Sequence, residues 1–364
     1  MRDAESIAAG LLAGLQSPDS WPHKLDPARA LILQIRLDAT TYRAASFLDD
    51  RILGPATQGV WLPIERLVAA AGALAGLRPL HFIFHTGHVG STLLSRLLDA
   101  TGAVLSLREP LPLRTLAELH DAPPPAGTPP GGAARFDALL ELFLQLWRRG
   151  YPGTGAVVLK ATSSAARLGP VLLDAQPDTR AVYLNLRAEP WLATLLAGGS
   201  QADLRGHAPE RLRRLAAQLN TPLPSLDQAS AGELAALGWL AETLTQHELL
   251  QRHAGRVLAI DFDALLADIP RGMHAVLGHL GLPDDEVALG RVCRAEALGR
   301  YSKAPELQYD ARLRAELLDA SRRENAAELA RGLRLLGTLA RTEVAVAQVL
   351  AADPAGLSPT TTSA

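Results

Sequence analysis

Five short apolar runs punctuate the chain: His81–His85, Ala103–Leu107, Ala156–Leu159, Ala181–Leu186 and Val257–Ile260. Short runs of this kind, bounded by turn-forming residues, are the signature of buried strands. Stretches with helical spacing separate most of them: Phe136–Arg149 closed by Gly150, Ala165–Ala175, and Glu233–His253. Strands alternating with helices predict βαβ units, and so an α/β three-layer sandwich with a central, mostly parallel sheet and helices on both faces.

The flanks read differently. Residues 1–78 carry helical periodicity interrupted by Pro22, Pro27 and Pro55, which predicts a small helical N-terminal segment anchored by Trp21 and Trp61. The main α/β domain then spans 79–352, interrupted at 121–134 by a Pro/Gly-rich stretch that reads as a flexible loop. Past Ile269 the pattern is helical, with Leu313, Leu317, Leu318, Leu329, Leu333 and Leu336 as a buried stripe. The tail 353–364 reads as disordered.

Composition narrows the function classes. Among 364 residues, 48% hydrophobic positions supply enough apolar surface for a sizeable core. A net charge of −2 argues against a nucleic-acid partner held by bulk charge. Cys293 is the single cysteine, which excludes an intramolecular disulfide and a cysteine-ligated zinc site. No apolar run approaches the roughly 20 residues of a membrane helix, and the first residues lack the pattern of a secretion signal. A soluble cytoplasmic protein is expected. Only Lys24, Lys160 and Lys303 are lysines among 36 strong bases. Where arginine is the default cation, a retained lysine suits a role for a compact ammonium.

The segment most suggestive of chemistry is Phe84-His85-Thr86-Gly87-His88-Val89-Gly90-Ser91-Thr92. A strand enters a glycine turn, and Ser91 and Thr92 open a helix with Leu93, Leu94, Leu97 and Leu98 on one face. Glycines let backbone approach an anion, and the N–H groups of the first helical turn point at it. The plainer reading is an ordinary strand–helix turn capped by a serine. A nucleotide-triphosphatase loop needs a lysine directly before the Ser/Thr, and here Gly90 precedes Ser91.

This loop resembles that of the sulfotransferases that use 3′-phosphoadenosine 5′-phosphosulfate (PAPS), a family with a P-loop-like α/β fold. Gly90-Ser91-Thr92 matches the last three positions of the family's loop; His88 stands where the family has a basic residue and Val89 where it has a hydroxyl. Four further segments follow in the family's order. Leu107-Arg108-Glu109-Pro110 resembles the place where the protein-tyrosine sulfotransferases carry their base, which makes Glu109 the implied base. Val157–Thr162 resembles the strand ending in Lys-Thr-His, with Lys160 on the lysine and Thr162 where the histidine belongs. Tyr183–Pro190 resembles strand-Arg-Asp-Pro, so Arg187 is implied as the 3′-phosphate ligand; the partner serine falls on Leu195, leaving Thr194 as its substitute. Val257–Leu266 with Leu280-Gly281-Leu282 resembles the acidic pair and helix end near the family's C-terminus. The stretch Arg300–Lys303 lies where the family closes a basic flap over the nucleotide.

The resemblance implies PAPS as co-substrate, no metal, and a small-molecule, carbohydrate or peptide acceptor; the oligomeric state is not legible. Sulfuryl transfer needs donors around the 5′-phosphate, a cation near the bridging oxygen and a base for the acceptor. Gly87, His88, Val89, Gly90, Ser91 and Thr92 are the candidates for the first, and His88 or Lys160 for the second. His88 serves as a cation only with a pKa near or above neutral. Glu109 is the candidate for the third. Arg187, Thr194, Arg300 and Lys303 complete the nucleotide set, and all are expected at one cleft along the carboxyl edge of the sheet. Two rivals stand beside this reading. One is a degenerate kinase with Asp261 on magnesium; the other is a non-catalytic nucleotide-binding protein. For Glu109 the plainer role is a surface ion pair with Arg108 or Arg114.

Overall fold

The five predicted strands form one parallel sheet, seen in a computed structural model that describes residues 2–122, 132–197, 201–284, 290, 300–301, 304–308 and 311–352. In chain order they are the fourth to eighth strands: β4 Leu80–His85, β5 Val104–Arg108, β6 Ala156–Lys160, β7 Ala181–Asn185 and β8 Val257–Asp261. Their spatial order is β5-β6-β4-β7-β8, with helices flanking the sheet, as the strand–helix alternation predicts. β4, β5, β6 and β7 are buried at every residue, as strands covered on both faces must be, whereas β8 at one edge is half-exposed.

By internal contacts the chain forms two units, Met1–Ile83 with Thr92–Ala181 and Leu277–Ala288, and Phe84–Ser91 with Val182–Val276 and Leu289–Ala364. In the first, the N-terminal residues are not mostly helical. Besides α1 (Arg2–Ala13), α2 (Ala39–Ala44) and α3 (Ile64–Ala71), they form an antiparallel sheet of β1 (Ser20–Asp26), β2 (Leu31–Arg36) and β3 (Gly59–Pro63). The prolines that suggested broken helices have strand roles. Pro22 sits at a register shift in β1, where a missing N–H costs no ladder bond, and Pro27 lies in the turn to β2. Trp21 is 1% exposed and anchors this layer, edge-on to Tyr42 at 5.6 Å. Trp61 anchors nothing comparable, being 43% exposed on edge strand β3.

The N-terminal segment also covers β5, the other edge of the parallel sheet. Leu48 N–H donates to the Arg108 carbonyl at 2.6 Å. The Arg108 side chain, 1% exposed, donates to the carbonyls of Tyr42 (2.7 Å) and Ala45 (2.9 Å) at the end of α2 and pairs with Asp99 at 2.9 Å. One guanidinium thus caps a helix end and blocks a strand edge from pairing elsewhere. The same unit holds α4 (Ser91–Ala100, from Thr92 onward), α5 (Leu111–Asp121), α6 (Gly132–Trp147) and α7 (Gly169–Ala175). The stretch read as a loop at 121–134 has its described ends in α5 and α6, while 123–131 lies outside the described residues.

The second unit is built on α8 (Ala188–Leu196), α9 (Gln201–Gln218) and α10 (Ala231–Arg252), followed after β8 by α11 (Phe262–Ala267) and by α12 (Ile269–Leu280) as far as Val276. Ser230 and Glu233 form a capping box that starts α10. Glu242 on α10 is fully buried and held by Arg211 (3.1 Å) and Arg214 (3.0 Å). Three helices close the unit: Ala311–Glu324, Ala326–Ala340 and Val344–Ala351. Gly232 and Gly332 let α10 and the helix Ala326–Ala340 touch backbone to backbone, since a Cβ on Gly232 would lie 1.9 Å from the Glu328 carbonyl oxygen. The leucine stripe is narrower than expected. Leu318, Leu329 and Leu336 are buried, but Leu317 and Leu333 turn outward. A two-stranded hairpin, β9 (Arg300–Tyr301) and β10 (Ala304–Gln308), interrupts the expected all-helical C-terminal region, and residues 353–364 lie outside the described chain.

Arg108→Met is expected to lower stability by about 3–5 kcal/mol, because it leaves Asp99 and two helix-end carbonyls without their partner. A urea titration checks this; an unchanged midpoint would mean that the guanidinium is not what holds the N-terminal segment on β5.

Candidate functional site

The candidate residues fall into two clusters, one in each unit. In the second unit lies the loop after β4. Its backbone is left-handed at Gly87 (φ 89°), His88 (φ 55°) and Gly90 (φ 65°). His88 is one of only three non-glycine residues with positive φ among the described residues, a conformation held only when surroundings over-determine it. The surroundings are visible. His85 Nδ1 accepts from Gly87 N–H at 3.0 Å, and Trp191 Nε1 donates to the Gly87 carbonyl at 2.8 Å. Val89 is fully buried, which explains an apolar residue where the resemblance calls for a hydroxyl. The Phe262 ring packs directly against Gly90: a Cβ there would stand 2.0 Å from its Cε2. Ser91, 6% exposed, opens α4, and Thr92 continues it.

Around this loop are Arg187, the N-cap residue of α8, and Asp261, the last residue of β8. Asp261 does the work of a helix cap, accepting from Ala264 N–H at 2.9 Å. Burial raises its pKa against the opposing pull of that hydrogen bond and of the Arg187 charge. Thr194 donates its hydroxyl to the Pro190 carbonyl at 2.7 Å, and Leu195 is 3% exposed. Arg314 brings a second guanidinium into this unit's cluster. It pairs with Asp263, reaches Thr194 Oγ1 at 3.5 Å and sits 5.0 Å over the Phe262 ring. Trp191, Phe262 and Arg314 were not candidates on sequence grounds. Trp191 directly follows the segment Tyr183–Pro190, and Phe262 stands inside Val257–Leu266, directly after Asp261; Arg314 has no local signal.

In the first unit, Glu109, Lys160 and Thr162 form the second cluster. Lys160 ends β6 in register with Arg108 of β5 and Ile83 of β4. Glu109 follows β5 with φ 55°, and its N–H donates to the Lys160 carbonyl at 2.7 Å. That turn brings its carboxylate to the Lys160 ammonium, with which it is hydrogen-bonded, and to Thr162 Oγ1 at 3.3 Å. Glu109 therefore pairs with Lys160 rather than with Arg108, which is occupied by Asp99. The lysine is 1% exposed. Burial lowers its pKa, and the Glu109 charge and hydrogen bond oppose that shift. Lys303 lies outside the described residues, and Arg300 is described only as the start of β9.

Gly90→Ala is expected to fail twice, through a left-handed backbone that alanine resists and through collision with Phe262. The expected loss is about 1–3 kcal/mol from the backbone alone. Adding Phe262→Ala should relieve the collision but not the strain, so thermal unfolding of the double variant should recover only part of the loss. Additive losses would show that the two residues do not touch.

No family model matches the chain, and no curated protein matches it by sequence. Among solved structures it is similar to a mouse sulfotransferase complexed with PAP (12% identity, TM-score 0.39, covering 80% of this chain and 96% of that one). It is also similar to a sulfotransferase from Alicyclobacillus acidocaldarius (16%, 0.38, 76% and 97%) and to one from Mycobacterium avium (14%, 0.38, 87% and 96%).

Proposed function

We propose that the protein is a sulfotransferase that moves a sulfuryl group from PAPS to an acceptor hydroxyl. The observation that carries this reading is the loop after β4, left-handed at three positions and followed at once by the helix that Ser91 opens. Such a backbone turns N–H groups toward an anion. With no lysine before Ser91, the loop suits a single 5′-phosphate better than a triphosphate chain. Arg187, at the end of the β7 connection, would take the 3′-phosphate, and Arg300 and Lys303 would close over the nucleotide. Within each unit the candidates stand at or just after the carboxyl end of a strand, Lys160 and Glu109 in the first and the Gly87–Ser91 loop and Arg187 in the second, and this is the end at which parallel strands present ligand-binding groups.

In the reaction the acceptor oxygen forms a bond to sulfur while the bond from sulfur to the bridging oxygen breaks, releasing 3′-phosphoadenosine 5′-phosphate (PAP). Glu109 takes the acceptor's proton. Thr162, standing where a histidine base would be, has no basicity to offer at neutral pH. Lys160 holds the Glu109 carboxylate in place and supplies positive charge against the growing charge on the departing phosphate. The acceptor, whether small molecule, carbohydrate or peptide, is set by surfaces outside these two clusters.

A non-catalytic PAP-binding protein is the second reading, favoured by Leu195 being buried where the family's serine would meet the 3′-phosphate. The kinase reading is disfavoured by Asp261, whose carboxylate caps α11.

PAP at 100 times its Kd should stabilise the protein by ~2.7 kcal/mol, with ADP and ATP·Mg²⁺ giving much less. Arg187→Ala should weaken PAP by about 2–5 kcal/mol while hardly affecting adenosine 5′-phosphosulfate, which lacks the 3′-phosphate. A thermal-shift series measures both, and stabilisation by ATP·Mg²⁺ alone would overturn the reading. Glu109→Gln should lower turnover about 10²-fold or more with little change in PAP affinity. Near-normal turnover of this variant would move the base to another group, and PAP binding without turnover in the parent protein would favour the second reading.

A further inference from the structure

The segment between α2 and the turn Asp50–Ile52 belongs to the N-terminal region, far in sequence from every candidate residue, yet it packs against the Glu109–Lys160 pair. Leu48 N–H is bonded to the Arg108 carbonyl, one residue before Glu109, which fixes the segment on the end of β5. Next to it Phe47, half-buried, presents its ring to Lys160 with Nζ 5.2 Å from the centroid. The Arg51 guanidinium lies 3.9 Å from the same centroid. Arg51 is itself clamped by Asp49, with Nε at 2.8 and 3.0 Å from the two carboxylate oxygens. One ring therefore serves two cations, one clamped at the surface and one buried at 1% exposure.

We propose that Phe47 is a positioning residue for the Glu109–Lys160 pair: its ring, braced by Arg51, seals the Lys160 ammonium from water and keeps it on the Glu109 carboxylate. The ring face attracts the ammonium, and excluding water strengthens the ion pair beneath it. Phe47 does not touch reacting atoms; it acts through Lys160. The sealing stands on geometry alone, whereas its consequence for turnover rests on the sulfotransferase reading above.

The three-lysine composition makes the sealing directly readable. Acylation by acetic anhydride, followed by peptide mass spectrometry, reports Lys160 against Lys24, whose side chain is 37% exposed. In the wild-type protein Lys160 should label far more slowly than Lys24. In Phe47→Ala the Lys160/Lys24 ratio, taken here and below from the high-pH plateaus of the two labelling profiles so that protonation drops out, should rise tenfold or more. The pH midpoint of Lys160 labelling should also move up toward the ordinary lysine value, because burial is the largest cause of its lowered pKa. Glu109, Arg108 and Arg51 are the charged groups that act on that ammonium, and none is changed in this variant. Arg51→Ala, a change at a side chain 64% exposed and so compatible with folding, should loosen the ring and raise the ratio at least threefold. A ratio within twofold of wild type in a folded Phe47→Ala, or no change in Arg51→Ala, overturns the proposal. Acylation needs no nucleotide, so the labelling ratio tests Phe47 even in a protein that fails to bind PAP. Failure of the sealing would equally leave PAP binding intact.

Discussion

A charge carried to the end of a fully buried parallel strand must meet a counter-charge there, because an isolated ammonium out of water is untenable. Lys160 is that charge, at 1% exposure, and much of the first unit is arranged around it. Glu109 leaves the ordinary backbone regions to reach it, donating its own N–H to the Lys160 carbonyl as it does so. Arg108, one position earlier, is directed instead to Asp99 and to the end of α2, which places the Ser46–Arg51 segment over the pair. Ladder register, turn conformation and covering segment all meet at this one buried lysine.

The second unit solves a different problem, that of holding a loop in a conformation it would not adopt alone. Left-handed backbone at Gly87, His88 and Gly90 is kept by a hydrogen bond from Trp191, by the bond of Gly87 N–H to His85, and by the Phe262 ring on Gly90. Phe262 is in turn backed by Arg314. The result is a preformed turn at the start of α4, held by packing before any ligand is present. The strain at His88 and Glu109 falls on two candidate functional residues, which is where strain tends to collect.

Much of the architecture was legible from local pattern. The five strands stand within a residue or two of the five apolar runs, because strands covered on both faces are mostly apolar, with the polar residues Arg108, Lys160 and Asn185 kept to their ends. The loop, Lys160 and Arg187 were legible because each follows such a run directly. The N-terminal sheet was not, since Pro22 and Pro27 look like helix breaks until the register of β1 against β2 shows that one sits at a bulge and the other in a turn. Trp61, Leu317 and Leu333 failed as core residues for a related reason: apolar character does not say which face of an element finds a neighbour.

The sequence by itself determined the order of elements, the positions where chemistry could sit, and the departures at His88, Val89, Thr162 and Leu195, because these depend on residues adjacent in the chain. Tertiary structure decided the partners. That Glu109 meets Lys160 and not Arg108, that Asp261 caps a helix, and that Phe47 and Arg314 stand beside candidate residues far away in the chain are results of packing between distant segments. Strand register and the burial of charge set those distances, and neither is expressed in any local run of residues.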